Sequence, residues 1–288
     1  MKKKIKPPFA LRAISWLFPR VEKLTPWLAQ RWFVRIFFTP ARYKVPYGEQ
    51  AMFDQAVTYN LDYQGKRVQV YQWGEGRPVL CIHGWMGRGG QFRKFIPVLN
   101  AAGYQVVAFD AIGHGRSQGK RSHLLKFVDI ASMLEQRYGG FESIIGHSLG
   151  GVAGMLAIRQ GLSTDKLVMI SSPTLGYKII DEIMYRVNAS PACGEYLNKY
   201  FIEKFGKPFE EFSASFIARD LRPIDLLLIH DVDDKEVDIE NPKALLNVYS
   251  NARLVTTSGL GHTRILKDDT VVKTCLQFLT QSEPELAT

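Results

Sequence analysis

Gly146-His147-Ser148-Leu149-Gly150-Gly151 lies between two apolar runs of this 288-residue chain. The run before it, Phe141-Glu142-Ser143-Ile144-Ile145, reads as a short strand. The run after it, Val152-Ala153-Gly154-Met155-Leu156-Ala157-Ile158, reads as a helix. A Gly-x-Ser-x-Gly between a strand and a helix is a nucleophile elbow. The turn is tight enough to hold its serine in a strained conformation. Glycines two residues before and two after remove side chains that would collide with neighbouring backbone. The serine oxygen then projects above the sheet, and the N–H of the next residue points into the same space.

Outward from the elbow, strand and helix patterns alternate from about residue 56. Val57–Tyr63 and Val68–Trp73 read as an opening hairpin around Gln64-Gly65-Lys66. Further strands are expected at Val79–Ile82, Gln105–Phe109, Leu167–Ile170, Leu226–Ile229 and Ala252–Thr256. Helices are expected at Phe92–Ala102, Leu124–Arg137, Pro242–Tyr249 and Ile265–Leu279. Near-continuous apolar strands separated by helices imply an α/β fold with a mostly parallel central sheet flanked by helices. The length suits one sizeable domain.

Two segments stand outside the alternation. Leu175 to Pro223 is too long for a simple crossover and reads as a helical cap, with short helices at Ile179–Val187, Gly194–Phe205 and Pro208–Arg219. It would cover the strand ends, exclude water and shape the substrate pocket. The other is an N-terminal helical arm. The expected division is 1–50 for the arm, 51–174 and 224–288 for the core, and 175–223 for the cap. The tail after Gln281 reads as frayed.

Charge is concentrated in the arm. Residues 1–46 hold eleven Lys or Arg and one acid, Glu22, a net +10 against +9 for the whole chain. The arm is also aromatic: Phe9, Trp16, Phe18, Trp27, Trp32, Phe33, Phe37 and Phe38. Arg12 interrupts its first apolar run, and Arg20 and Glu22 follow with no small-residue cleavage site, which argues against a signal peptide. It lacks the roughly 18 uncharged residues of a membrane-spanning helix. Helices at about Ala10–Phe18 and Pro26–Phe38 are expected, the second with Thr25 as N-cap and Pro26 at its first position. Arg31 and Arg35 share a stripe, while apolar residues fill most of the circumference, which implies burial on more than one side. One reading packs the arm on the catalytic domain. The other makes residues 1–46 a peripheral membrane contact, with aromatic rings at the acyl boundary and cations on anionic headgroups. No nucleic-acid motif appears, so no nucleic-acid partner is expected. Three cysteines without paired spacing, Cys81, Cys193 and Cys275, read as reduced thiols of a cytoplasmic protein, peripheral to the inner face of a membrane on the second reading.

From about residue 56 to 280 the chain resembles the α/β-hydrolase superfamily, with a serine esterase or lipase-like pattern. Four motifs carry the resemblance in the family's order: His83-Gly84-Trp85; Asp110-Ala111-Ile112-Gly113-His114-Gly115-Arg116-Ser117; the elbow; and the late pair His230-Asp231-Val232-Asp233-Asp234 and Gly259-Leu260-Gly261-His262. Nucleophilic catalysis needs a serine, an imidazole to take its proton, and a carboxylate to hold that imidazole in one tautomer. Ser148, an acid after the late strand, and His262 after the last strand stand in the expected chain order. The family's loop commonly reads His-Gly-x-x-Asp-x-x-Val, so the resemblance selects Asp234, four after His230, with Val237 in register; Asp233 and then Asp231 are its rivals. Asp231 replaces the family's glycine, a position where Asp tolerates left-handed backbone. The acids left over are expected to be solvated. Asp110 reads as a loop anchor.

Two backbone N–H donors must meet a developing oxyanion, and Trp85 and Leu149 are the candidates. His83, Met86 and His147 are expected to shape or line the pocket. The expectation is a serine hydrolase acting on a small-molecule acyl ester, with no metal and no organic cofactor. A thioesterase, a C–C bond hydrolase or an acyltransferase would use the same three residues. A non-catalytic lipid- or membrane-binding protein on the same scaffold is the alternative from another class.

Overall fold

The computed structural model describes residues 9–281; the first lysines and the tail expected to fray lie outside the described residues. In chain order the strands are β1 (Val57–Tyr63), β2 (Lys66–Trp73), β3 (Arg77–Ile82), β4 (Tyr104–Phe109), β5 (Ser143–His147), β6 (Lys166–Ile170), β7 (Asp225–Asp231) and β8 (Ala252–Thr257). The first six helices are α1 (Phe9–Leu24), α2 (Pro26–Phe37), α3 (Tyr47–Asp54), α4 (Phe95–Ala101), α5 (Leu124–Tyr138) and α6 (Leu149–Arg159). The remainder are α7 (Gly176–Val187), α8 (Pro191–Phe205), α9 (Ala214–Ile217), α10 (Glu240–Leu246), α11 (Gly261–Arg264) and α12 (Asp269–Thr280). The described chain forms two compact units.

The larger unit, Pro40–Thr174 with residues from Ala214 onward, contains the whole sheet in the order β1-β2-β4-β3-β5-β6-β7-β8. β1 and β2 pair antiparallel, as do β2 and β4, and every later pairing is parallel. Central strands must be apolar on both sides because helices cover both faces. Val79, Leu80, Cys81 and Ile82 of β3 are accordingly fully buried. In α12 the buried residues Val271, Val272, Cys275, Phe278 and Leu279 recur at helical spacing on one face. Asp268 caps this helix by accepting the N–H groups of Thr270 and Val271, both at 3.0 Å.

The elbow glycines are required by close approach. A methyl group on Gly146 would lie 2.4 Å from the backbone of Gly151, and one on Gly150 would lie 2.0 Å from the Ile82 carbonyl oxygen. The first contact lets α6 fold back on β5. The second presses the start of α6 onto the end of β3, bringing the loop after β3 against Ser148.

The smaller unit comprises the described part of Met1–Thr39 together with Leu175–Ser213. Its core is Phe18, Ala29, Phe33, Val34, Phe38, Val187, Cys193, Leu197, Phe201 and Phe209. The rings of Phe18 and Trp32 stack at 5.2 Å, and those of Phe38 and Phe201 at 5.7 Å. The arm thus packs on the insertion helices. Glu22 fastens α1 to the start of α8, accepting hydrogen bonds from Ser190 N–H at 3.1 Å, Ser190 Oγ at 2.5 Å and Cys193 Sγ at 3.1 Å.

Several local expectations are corrected. α1 continues through Pro19 to Leu24 instead of ending at Phe18. A helical proline leaves the carbonyl four residues earlier without its N–H partner. Here that carbonyl belongs to Ser15, and Asn188 Nδ2 donates to it at 3.1 Å. Thr25 stands at the N-cap of α2, yet its hydroxyl turns back to the Val21 carbonyl at 3.1 Å and makes no cap bond. Pro208–Arg219 is broken: Phe209–Phe212 is a 3-10 turn, α9 follows, and Ala218–Asp220 is another 3-10 turn. α3 has no counterpart in the sequence reading.

Candidate active site

β5 delivers Ser148 at the top of the sheet, with φ 52° and ψ −123°. Left-handed backbone at a non-glycine residue costs about 1–3 kcal/mol and persists only where surroundings hold it. Here Ser148 N–H donates to the Ile170 carbonyl at 2.8 Å, and Gly151 N–H donates to the Ser148 carbonyl at 3.1 Å. The loop after β3 lies against this turn: a methyl group on Gly84 would sit 2.8 Å from Ser148 Cβ. Trp85 follows directly, and Leu149 opens α6, so both backbone positions flank the serine.

His262 lies in the short helix α11 rather than in an open loop. Its Nδ1–H donates to Asp234 Oδ2 at 2.8 Å, and the Asp234 side chain is fully buried. Asp234 Oδ1 accepts the N–H groups of Glu236 at 2.9 Å and Val237 at 3.1 Å. Burial pushes this carboxyl up, but the bond from His262 and the two backbone donors outweigh it, so it sits below the usual carboxylate range. With Nδ1 carrying the proton shared with Asp234, the neutral ring keeps Nε2 as its basic nitrogen. Ser148 Oγ and His262 Nε2 make no hydrogen bond to a described residue. Such contacts tighten around a reacting group.

The other two acids divide a different task. Asp231 is fully buried and accepts Thr257 Oγ1 at 2.8 Å, Leu260 N–H at 3.0 Å and Asp233 N–H at 3.0 Å. Burial raises its carboxyl, yet these donors, with Gly261 N–H, bring it below the usual range. Asp233 accepts Ser258 Oγ at 3.0 Å and Gly259 N–H at 2.8 Å. Both acids hold the segment that carries His262; Asp233 is exposed, as the sequence suggested, whereas Asp231 is buried and not solvated. Nor does Asp231 use left-handed backbone: it ends β7 in register with Thr257.

His147 is the residue whose contact the sequence did not disclose. Its Nε2–H donates to the main-chain carbonyl of His262 at 2.9 Å, and the two rings are 4.9 Å apart. Its Nδ1 is buried without a hydrogen-bond partner among the described residues. Burial, then the neighbouring His262, lowers its pKa to about 3, so it stays neutral. A motif-turn histidine signals proximity to the serine; only the tertiary structure identifies its acceptor.

His83 is fully buried, accepting Ala111 N–H at 3.0 Å and donating to the Gly84 carbonyl at 2.7 Å. Burial lowers its pKa to about 4. It holds the loop beneath Trp85, whose ring meets His114 edge-on at 5.0 Å. Met86 adopts φ 61° and accepts a 3.8 Å contact from Tyr43 Oη. Asp110 anchors two loops by accepting Gly89 N–H at 2.8 Å and Arg116 N–H at 2.7 Å, with Tyr71 Oη at 2.9 Å. Burial raises its carboxyl despite those donors. All three cysteines are buried and unbridged. Among the described residues no group of three or more His, Cys, Asp or Glu is arranged to hold a metal ion, and no helix is long and apolar enough to cross a membrane.

Residues 77–267 match the family model described as alpha/beta hydrolase fold. A human serine hydrolase-like protein is 37% identical over 113 residues, covering 35% of this chain and 53% of that protein. The chain therefore spans about half or less of the length of such curated relatives. A non-heme haloperoxidase from Rhodococcus erythropolis is 24% identical over 271 residues, covering 75% of this chain and 96% of that protein. A solved esterase from Pyrococcus furiosus superposes with a TM-score of 0.62 at 20% identity, covering 84% of this chain and 95% of that one. At that identity the superposition speaks for the fold alone.

Proposed function

The chain belongs to the alpha/beta hydrolase fold family, and on that premise we propose that it is a serine hydrolase that cleaves carboxylic esters through an acyl-enzyme on Ser148. The observation that carries this reading is the 2.8 Å bond from His262 Nδ1 to the buried Asp234, on the loop next to a strained Ser148. That bond leaves Nε2 to take the serine proton as Oγ attacks the ester carbonyl. The carbonyl oxygen gains negative charge, and the N–H groups of Leu149 and Trp85 receive it. The tetrahedral adduct collapses, the C–O bond to the alcohol breaks, and His262 gives the leaving oxygen its proton. Water then repeats the sequence: His262 takes its proton, hydroxide adds to the acyl carbonyl, and the acid departs as Ser148 recovers its hydrogen. Asp234 stays ionised and stabilises the imidazolium in both halves. The sequence requires no metal and no redox cofactor.

The same machinery serves a thioester, so the test includes both leaving atoms. Aryl esters of increasing acyl length, matched thioesters and a fluorophosphonate probe are offered to the wild type, Ser148→Ala and His262→Ala. Ester turnover and Ser148 labelling abolished by both substitutions support the proposal. Thioesters preferred at matched acyl length would reassign the substrate class. A folded wild type that neither turns over nor labels would leave a binding protein on a hydrolase scaffold.

A further inference from the structure

Two helices of the smaller unit are apolar on faces that burial does not require. In α1 the inward side is Leu11, Ile14, Phe18 and Val21, all packed into that unit's core. A surface helix would then turn polar residues outward. Instead the outward side carries Phe9 at 83% exposure, Trp16 at 61%, Leu17 at 42% and Leu24 at 80%. α2 repeats the pattern. Ala29, Phe33 and Val34 are buried, while Trp27 at 60% and Leu28 at 44% share the outward side with Arg31 and Arg35. Six of the fifteen exposed large apolar side chains among the described residues lie on these two helices. Such a concentration marks an interaction surface rather than scattered surface apolarity.

The charges on the same faces identify the partner. Arg12, Arg20 and Lys23 of α1 and Arg31 and Arg35 of α2 are exposed, and none forms an ion pair with a described residue. The guanidinium of Arg20 lies 3.8 Å over the Trp16 ring. The lone acid of this stretch, Glu22, is turned inward onto Ser190 and Cys193. Neither α1 nor α2 carries another acid to answer these cations. The sequence before α1 adds Lys2, Lys3, Lys4 and Lys6.

We infer that the outward faces of α1 and α2 form a seat for an anionic lipid surface. Trp16, Leu17, Leu24, Trp27 and Leu28 enter the acyl boundary, and Arg12, Arg20, Lys23, Arg31 and Arg35 meet lipid phosphates. A lipid interface offers apolar and anionic groups a few ångströms apart in depth, which is what interleaved indole and guanidinium groups require. A second copy of the chain is disfavoured, because a two-fold contact would set cations against cations. The inference is independent of the hydrolase reading.

The test uses the full chain with vesicles of phosphatidylcholine mixed with phosphatidylserine, and with pure phosphatidylcholine. Co-sedimentation with the mixed vesicles, a blue shift of tryptophan emission and weakening by salt are expected. Each lost cation should reduce partition about fivefold, so Arg12→Gln with Arg31→Gln should weaken binding by more than tenfold. Trp16→Ala with Trp27→Ala should remove the blue shift and weaken binding to both vesicle kinds. Circular dichroism and melting temperature report the fold of each variant, and the wild-type salt dependence needs no variant. Equal partition to both vesicle kinds, absence of binding, or a dimer abolished by the tryptophan substitutions would overturn the inference.

Discussion

His147 donates its Nε2–H to the main-chain carbonyl of His262 across 115 residues of sequence, at 2.9 Å. The residue before the candidate nucleophile thus holds the backbone of the candidate base. Two loops that otherwise depend on separate strands share one hydrogen bond. His262 is fixed twice: at its ring by Asp234 and at its main chain by His147.

Removing that tether should affect rate more than stability. His147→Phe keeps a planar ring and loses the donor. A fall in kcat/KM on aryl esters of about tenfold to a hundredfold is expected from loss of positioning. His147→Gln, which retains a donor at a similar reach, should recover much of it. Because His147 stays neutral down to about pH 3, the pH–rate profile above pH 5 should keep its shape. A loss of less than about twofold in His147→Phe would show that the contact positions nothing.

The three neighbouring carboxylates should separate cleanly. Asp234→Asn leaves His262 Nδ1 facing an amide and permits the wrong tautomer; a loss of about 10⁴ in kcat is expected. Asp233→Asn, at an exposed position bonded to Ser258 and Gly259, should cost less than about threefold. Asp231→Asn should lower unfolding free energy by about 1–3 kcal/mol, because buried donors from Thr257 and Leu260 lose a charged acceptor. Steady-state rates and denaturant titrations on the three variants decide among these roles.

Acid should destabilise the protein before the carboxylates titrate. His83 and His147 have native pKa values lowered by burial to about 4 and about 3, and His114 and His230 are lowered too. A lowered native value means stability that is complete above the unfolded histidine value near 6.5 and is lost as pH falls towards the native values. Each proton bound only by the unfolded chain costs about 1.4 kcal/mol per pH unit. Asp231 and Asp234, also lowered, lose their contribution below about pH 4, whereas the raised Asp110 acts in the opposite direction. Calorimetric melting temperature should decline steadily from pH 6.5 to 4; a flat profile down to pH 5 would contradict the buried neutral histidines.

Pro19 and Asn188 should be energetically coupled. Asn188→Gly keeps the left-handed backbone, φ 55°, but withdraws the amide from Ser15, and should cost about 1 kcal/mol. Pro19→Ala restores an N–H that can reach the same carbonyl. In the Pro19→Ala background Asn188→Gly should therefore cost less. Additive effects in a double-mutant cycle would separate the two residues.

The eight strands, the elbow with Ser148 and the position of His262 directly after the last strand were legible in the sequence, because each depends on local pattern; that His262 sits in a short helix was not. Apolar runs such as Val79–Ile82 specify buried strands, and Gly146 and Gly150 specify a turn that admits no side chain. The family resemblance favours Asp234 over Asp233 and Asp231 as the acid beside His262. Which bonds each of the three makes was decided by the tertiary structure: the direction in which each leaves the end of β7 puts Asp234 on His262, Asp231 on Thr257 and Asp233 on Gly259. The same holds for His147 and His262, for Glu22 and Ser190 across 168 residues, and for Asn188 with the carbonyl freed by Pro19. Local spacing sets backbone periodicity, whereas side-chain pairings between distant segments exist only once packing has fixed both backbones.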